Sequence, residues 1–195
     1  MRKFVAYTFV TGLTAVALLA TIGCGYTQVA ASTATKADAV KRGEYLVSVV
    51  GCSDCHTPMK MGPKGPEPDM SRFLSGHPEQ VGALPPATAQ GPWLWAGAAT
   101  NTAFAGPWGT SYAANLTPDR NTGLGIWDET MFLTAIRTGR HMGTSRPIMP
   151  PMPWPAFRNA SDEDLKAIYA YLKSITPVTN HVPDVQPPAA STAAN

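Results

Sequence analysis

Apolar residues recur at helical spacing in three separated stretches of this chain. Between Lys36 and Val50, Val40, Gly43, Val47 and Val50 share one stripe, with Leu46 beside them. That is the i, i+3, i+4, i+7 pattern of a helix packed on one face. Gly43 weakens the helix locally, so a glycine there serves best where another helix must come close. The second stretch, Glu129 to Thr138, buries Phe132, Ala135 and Ile136, with Asp128 as N-cap and Gly139 as C-terminal stop. The third carries Leu165, Ile168, Tyr169, Leu172 and Ile175. Ser161 caps it, Asp164 completes a capping-box-like S-x-x-D, and Asp162 and Glu163 favour the positive end of the helix dipole. Pro177 forbids much continuation.

Between these stretches the pattern fails. From Thr57 to about Ala114 no period emerges, and Met59 to Asp69, Pro85-Pro86 and Gly91-Pro92 are rich in breakers. Trp93, Trp95, Phe104, Trp108 and Tyr112 are scattered through it. They read as gap-filling residues of a packed excursion, with a docking face for a partner as the alternative. Asn115 to Asp119 is a turn cluster, and Arg146 to Phe157 is a Pro-rich loop. The expected fold is therefore all-α, with few or no strands and one long Pro/Gly-rich loop insertion. The 17 glycines and 19 prolines agree with that loop content, and 44% hydrophobic residues still allow a core.

The chain opens with Arg2 and Lys3 before an uncharged, mostly apolar run from Phe4 to Ala20, the layout of an export signal. Thr21-Ile22-Gly23-Cys24 resembles a bacterial lipobox, so 1–23 reads as a lipoprotein signal and Cys24 as the lipidated residue. Thr21 stands where that pattern prefers Leu. A signal cut near Ala30-Ala31 and an uncleaved anchor are the other readings. Residues 24–35 then form a flexible linker, 36–182 the folded domain, and 183–195 a disordered tail rich in Pro, Ala, Ser and Thr. A formal charge of +2 without a basic run argues against nucleic acid as a partner.

The chemistry concentrates in Cys52-Ser53-Asp54-Cys55-His56, a C-x-x-C-H attachment signature for haem c. Two thiols one helical turn apart can each add to a porphyrin vinyl group, and the adjacent imidazole then faces iron. The chain has 3 cysteines, and with Cys24 in the export signal a four-ligand zinc site cannot be assembled from cysteine pairs. With no second such pentapeptide, one haem is expected.

The sixth iron ligand is sought in Ile148-Met149-Pro150-Pro151-Met152-Pro153-Trp154. A thioether favours ferrous iron and raises the potential, and the prolines stiffen the loop that carries it. Met152, just before Trp154, is preferred, with Met149 the alternative. His77 and His141 are the candidates for bis-histidine ligation. The other methionines read as adaptable core filler. Arg137, Arg140, Arg146 and Arg158 flank the region as partners for haem propionates or as solvated surface.

The order helix, C-x-x-C-H, excursion, methionine loop and final helix resembles the class I c-type cytochromes from about Lys36 to Ile175. Asn115 to Asp119, Thr122 to Gly125 and Met152 to Trp154 are similar to motifs of bacterial periplasmic monohaem domains. Such domains also occur in cytochrome subunits of membrane-bound alcohol, aldehyde and sugar-acid dehydrogenases. The resemblance implies a cytochrome c fold, helices wrapped around one covalent haem held by Cys52 and Cys55. It implies His56 and Met152 as axial ligands, and Gly43 packed against Tyr169 or Tyr171. The function it implies is periplasmic electron transfer between redox protein partners, without catalysis. A permanently docked subunit of a dehydrogenase or oxidase complex is the main alternative. A haem enzyme with an open sixth site is the lesser one.

The lipobox reading predicts that Cys24→Ser moves the protein from the membrane to the soluble fraction of disrupted cells; a variant that stays membrane-bound overturns it.

Overall fold

Thr35 starts the first helix, α1 (Lys36–Val49), with a complete capping box: its hydroxyl accepts from the Asp38 amide, and the Asp38 carboxylate accepts from the Thr35 amide at 3.0 Å. The computed structural model describes residues 35–87 and 92–188. Cys24, the signal and most of the linker lie outside the described residues. After α1 come a one-turn helix α2 (Cys52–His56), a hairpin β1 (Met59–Gly62) and β2 (Gly65–Pro68), and a three-stranded antiparallel sheet. That sheet is built of β3 (Ala96–Gly97), β4 (Ala103–Gly106) and β5 (Gly109–Tyr112). The chain closes with α3 (Glu129–Thr138), a short α4 (Trp154–Phe157) and α5 (Asp162–Leu172).

The helical expectations hold closely. Asp128 caps α3 by accepting from the Met131 amide at 2.7 Å, and Gly139 ends it at φ 66°. Ser161 caps α5 by accepting from the Asp164 amide at 3.0 Å. The Asp164 carboxylate does not close a box; it turns outward to Arg42 of α1 at 3.0 Å. That exposed ion pair contributes at most about 1 kcal/mol.

Close packing of α1 on α5 matters more. A Cβ at Gly43 would overlap the Ala167 carbonyl oxygen and lie 2.7 Å from Tyr171 Cβ. Gly43 therefore meets Ala167 and Tyr171 rather than Tyr169. Val47 from α1 and Leu172 from α5 join Leu74, Leu124, Trp127, Phe132 and Ala135 in one buried cluster.

The expectation of an all-α fold needs correction, because 57–114 is not a structureless loop. Its two tight hairpins turn on the same tetrapeptide, Gly-Pro-x-Gly. Gly62-Pro63-Lys64-Gly65 joins β1 to β2, and Gly106-Pro107-Trp108-Gly109 joins β4 to β5. Proline presets φ at the second turn position, and the closing glycines take φ of 120° and 94°, where a side chain would be strained. The strands are short and mix Gly, Pro and Ala, so they carry no alternating pattern to read.

The segment after α5 fastens this insertion to the helices. Asn180 is fully buried. Its amide nitrogen donates to the carbonyls of Ser75 at 2.7 Å and His77 at 2.8 Å. Its side-chain oxygen accepts from the Glu79 amide at 2.9 Å and Arg72 at 3.0 Å. Of the tail expected to be disordered from Pro183, residues 183–188 are placed. Gln186 exchanges two backbone hydrogen bonds with Thr110 of β5, both 2.9 Å.

Gly43→Ala should cost on the order of 2–4 kcal/mol by forcing α1 off α5, a drop in melting temperature on the order of 10 °C. Circular dichroism melts check it, and an unchanged melt would mean the two helices have slack.

Candidate functional site

Gly51, at φ 73°, turns the chain from α1 directly into α2. This puts Cys52 and Cys55 one helical turn apart, with His56 next. Cys52 packs against the buried cluster. Burial pushes its thiol up to about 11, and burial followed by the nearby Asp54 carboxylate also raises the Cys55 thiol. Both thiols are thus protonated at neutral pH, the opposite of the activated thiolates of redox C-x-x-C sites.

His56 is buried. Its Nδ1 lies 2.7 Å from the Ala114 carbonyl oxygen, which can only accept, so Nδ1 carries the proton. Nε2 is left as the lone-pair nitrogen, with no hydrogen-bond partner among the described residues. A ring nitrogen fixed this way by a carbonyl on its other side is how metal-ligating histidines are usually presented. Desolvation lowers the His56 pKa, opposed by its bond to Ala114, which keeps the ring neutral and its lone pair available.

Residues of the insertion hold this turn in place. The Gly76 amide donates to the His56 carbonyl at 2.8 Å, the Leu74 amide to the Thr57 hydroxyl at 3.0 Å, and Asn101 to the Asp54 carbonyl at 2.7 Å. Gly76, at φ 78°, lies so close that a Cβ would overlap the Ala113 carbonyl and sit 2.7 Å from the Ala114 oxygen. The acceptor of the His56 proton is thus set in a cradle that only glycine fits. The Asn115-to-Asp119 and Thr122-to-Gly125 motifs follow at once. The Asn115 side-chain oxygen accepts from the Thr117 amide and hydroxyl, and Asp119 accepts from the Thr122 amide and hydroxyl. This self-bonded loop carries Leu116 and Leu124 onto the core.

Met149 and Met152 are both half-buried and share one turn, closed by the Met152 amide donating to the Met149 carbonyl at 3.3 Å. The loop is anchored at its start by the Ile148 amide on the Gly139 carbonyl at 2.8 Å. At its end Trp154 packs where a Cβ on Gly139 would stand. The histidines considered as alternative ligands are engaged elsewhere. His77 is fully buried, with Nε2 donating to the Gly82 carbonyl and Nδ1 paired with the Thr102 hydroxyl, each at 2.9 Å. His141 stands edge-on against Trp127 with ring centroids 4.9 Å apart, and burial followed by the charge of Arg146 lowers its pKa. Of the flanking arginines, Arg137 bonds the Arg158 carbonyl and pairs with Asp162 at 2.5 Å.

The cytochrome c family matches residues 40–176, which takes in most of α1, the pentapeptide, the methionine loop and α5. The chain belongs to the cytochrome c family. Haem c, bound covalently, is the cofactor of that family, and the donor set fits it: two neutral thiols a turn apart beside an oriented imidazole. The cytochrome is 33% identical over 140 residues to the gluconate 2-dehydrogenase cytochrome c subunit of Pantoea cypripedii, covering 71% of this chain and 24% of that protein. It is 31% identical over 177 residues to the cytochrome c subunit of a quinone alcohol dehydrogenase from Gluconobacter oxydans, covering 88% and 30%. It is 27% identical over 150 residues to the fructose dehydrogenase cytochrome subunit of Gluconobacter japonicus, covering 76% and 24%. The chain thus spans less than a third of the length of each of these relatives. All three are named as cytochrome subunits. Among the described residues no helix is long and apolar enough to cross a membrane.

Gly76→Ala should displace the Ala114 carbonyl and cut the covalent haem per chain several-fold, read as haem-stain intensity against total protein. Undiminished haem loading would show that the cradle can yield without cost.

Proposed function

We propose that this cytochrome is a single-haem electron carrier in which Cys52 and Cys55 hold the porphyrin as thioethers and His56 and Met152 are the axial ligands, with Met149 as the alternative to Met152. The reading rests above all on His56, whose Nδ1 is bound to the Ala114 carbonyl while Nε2 faces no protein partner among the described residues. The bound haem supplies an iron that takes up and gives back one electron. The chain's part is to hold that iron's ligands still. Donation from Nδ1 to a carbonyl strengthens the imidazole as a ligand. Pro150, Pro151 and Pro153 limit how far the methionine loop can move between redox states. A thioether on the far side raises the potential relative to a second imidazole.

The export signal and the covalent haem point together to the periplasm, with Cys24 as a lipid anchor to a bacterial membrane. The partners are redox proteins, a dehydrogenase donor and an acceptor such as a terminal oxidase. The names of the relatives favour a second version of the same chemistry, in which the chain docks as the electron-accepting subunit of a membrane-bound dehydrogenase.

Met152→Ala should abolish the methionine–iron charge-transfer band and lower the midpoint potential by a sizeable part of the roughly 0.8 V over which axial ligands act. Met149→Ala should retain both. The reverse pattern would move the ligand to Met149, and a high-spin wild-type protein that binds carbon monoxide readily would favour a haem enzyme instead.

A further inference from the structure

The β4–β5 hairpin reaches past its own sheet to the methionine loop. Ser111 of β5 is buried, and its hydroxyl lies 2.5 Å from the Pro150 carbonyl oxygen. A hydroxyl has one proton to give. The Phe104 carbonyl is a distant rival at 3.4 Å, so the proton belongs to Pro150. The Trp108 indole N–H donates to the same hydroxyl oxygen at 3.3 Å, which directs the Ser111 proton outward. Trp108 is itself held where a Cβ on Gly106 would stand, within 2.6–2.9 Å of its ring atoms.

Pro150 lies within the turn that carries both candidate methionines, and its proline neighbour has no N–H to help fix the segment. Three residues after Ser111 on the same extended segment, the Ala114 carbonyl receives the His56 proton. One short run, 111–114, therefore holds the imidazole with one end and the methionine turn with the other. At about 3.3 Å per residue it spans roughly 10 Å.

We propose that Ser111 is a positioning residue for the methionine ligand, and that bracing the methionine turn is a task of the insertion. The proposal rests on methionine ligation as read above. Without the Ser111 hydroxyl the turn keeps its anchors at Gly139 and Trp154 but loses its hold at the middle. The thioether then leaves the iron more easily, and a competing ligand enters more easily.

The test is an imidazole titration of the ferric holoprotein, followed by loss of the methionine–iron band. Ser111→Ala should retain the band in buffer and bind imidazole about 10-fold more tightly, the change expected for loss of one well-formed hydrogen bond. Ser111→Thr, which keeps the hydroxyl, should return the affinity to within about 2-fold of wild type. Trp108→Phe, which frees the hydroxyl to rotate, should fall between, and it carries the test if Ser111→Ala gives no holoprotein. Wild-type imidazole affinity in both Ser111→Ala and Trp108→Phe overturns the brace while leaving methionine ligation standing. Absence of the band from the wild-type protein overturns methionine ligation, and the brace with it.

Discussion

The bond from His56 Nδ1 to the Ala114 carbonyl is the constraint on which the site depends. It selects the tautomer, fixes the plane of the ring and leaves one nitrogen with its lone pair. The acceptor lies 58 residues further along the chain. Everything between must therefore fold back with enough accuracy to deliver one oxygen atom. Gly76 makes room for it, and Asn180, from beyond the last helix, ties down the carbonyls on either side of Gly76. A cytochrome needs its iron to change charge with little change in shape. Here the rigidity comes from the excursion that separates the pentapeptide from its own support.

The helices were legible because their signals are local. Caps at Asp128 and Ser161 and the stop at Gly139 act through neighbours three or four residues away, so the sequence alone reveals them, whereas the Thr35 capping box lies in a stretch that reads as linker. The pentapeptide was legible for the same reason. The insertion was not, because its strands are two to four residues long and lie in runs without alternation. The available signal was the repeated Gly-Pro-x-Gly turn, which marks both tight hairpins. Ser111 reaches Pro150, Asn180 reaches Ser75 and Gly76 reaches Ala113 across sequence separations of 37 or more residues, and nothing in their immediate context announces a partner.

The division between α1 and α5 and the insertion is also a division of labour. The helix pair joins through a contact that excludes side chains at Gly43 and adds an exposed ion pair at its rim. The insertion contributes mainly hydrogen bonds to backbone carbonyls, each worth about 1 kcal/mol net but directional. The first arrangement gives stability and the second gives placement. Ionisable side chains are almost missing from the later portion of the insertion: between Phe73 and Asp119 only His77 and Glu79 occur among the acids, lysines, arginines and histidines. Long-range charge steering of a partner toward that surface would therefore have little to act on.

The pairing of Gln186 with Thr110 has a bearing on life before maturation. β5 is the outer strand of its sheet on the side away from β4, and an open outer strand is a template for pairing with another chain. Gln186 occupies both polar groups of Thr110, and its carbonyl presses on Gly109 so closely that no side chain could stand there. The segment around Gln186 thus acts as a stopper on its own sheet. A chain still waiting for its porphyrin gains a safeguard against joining its neighbours edge to edge.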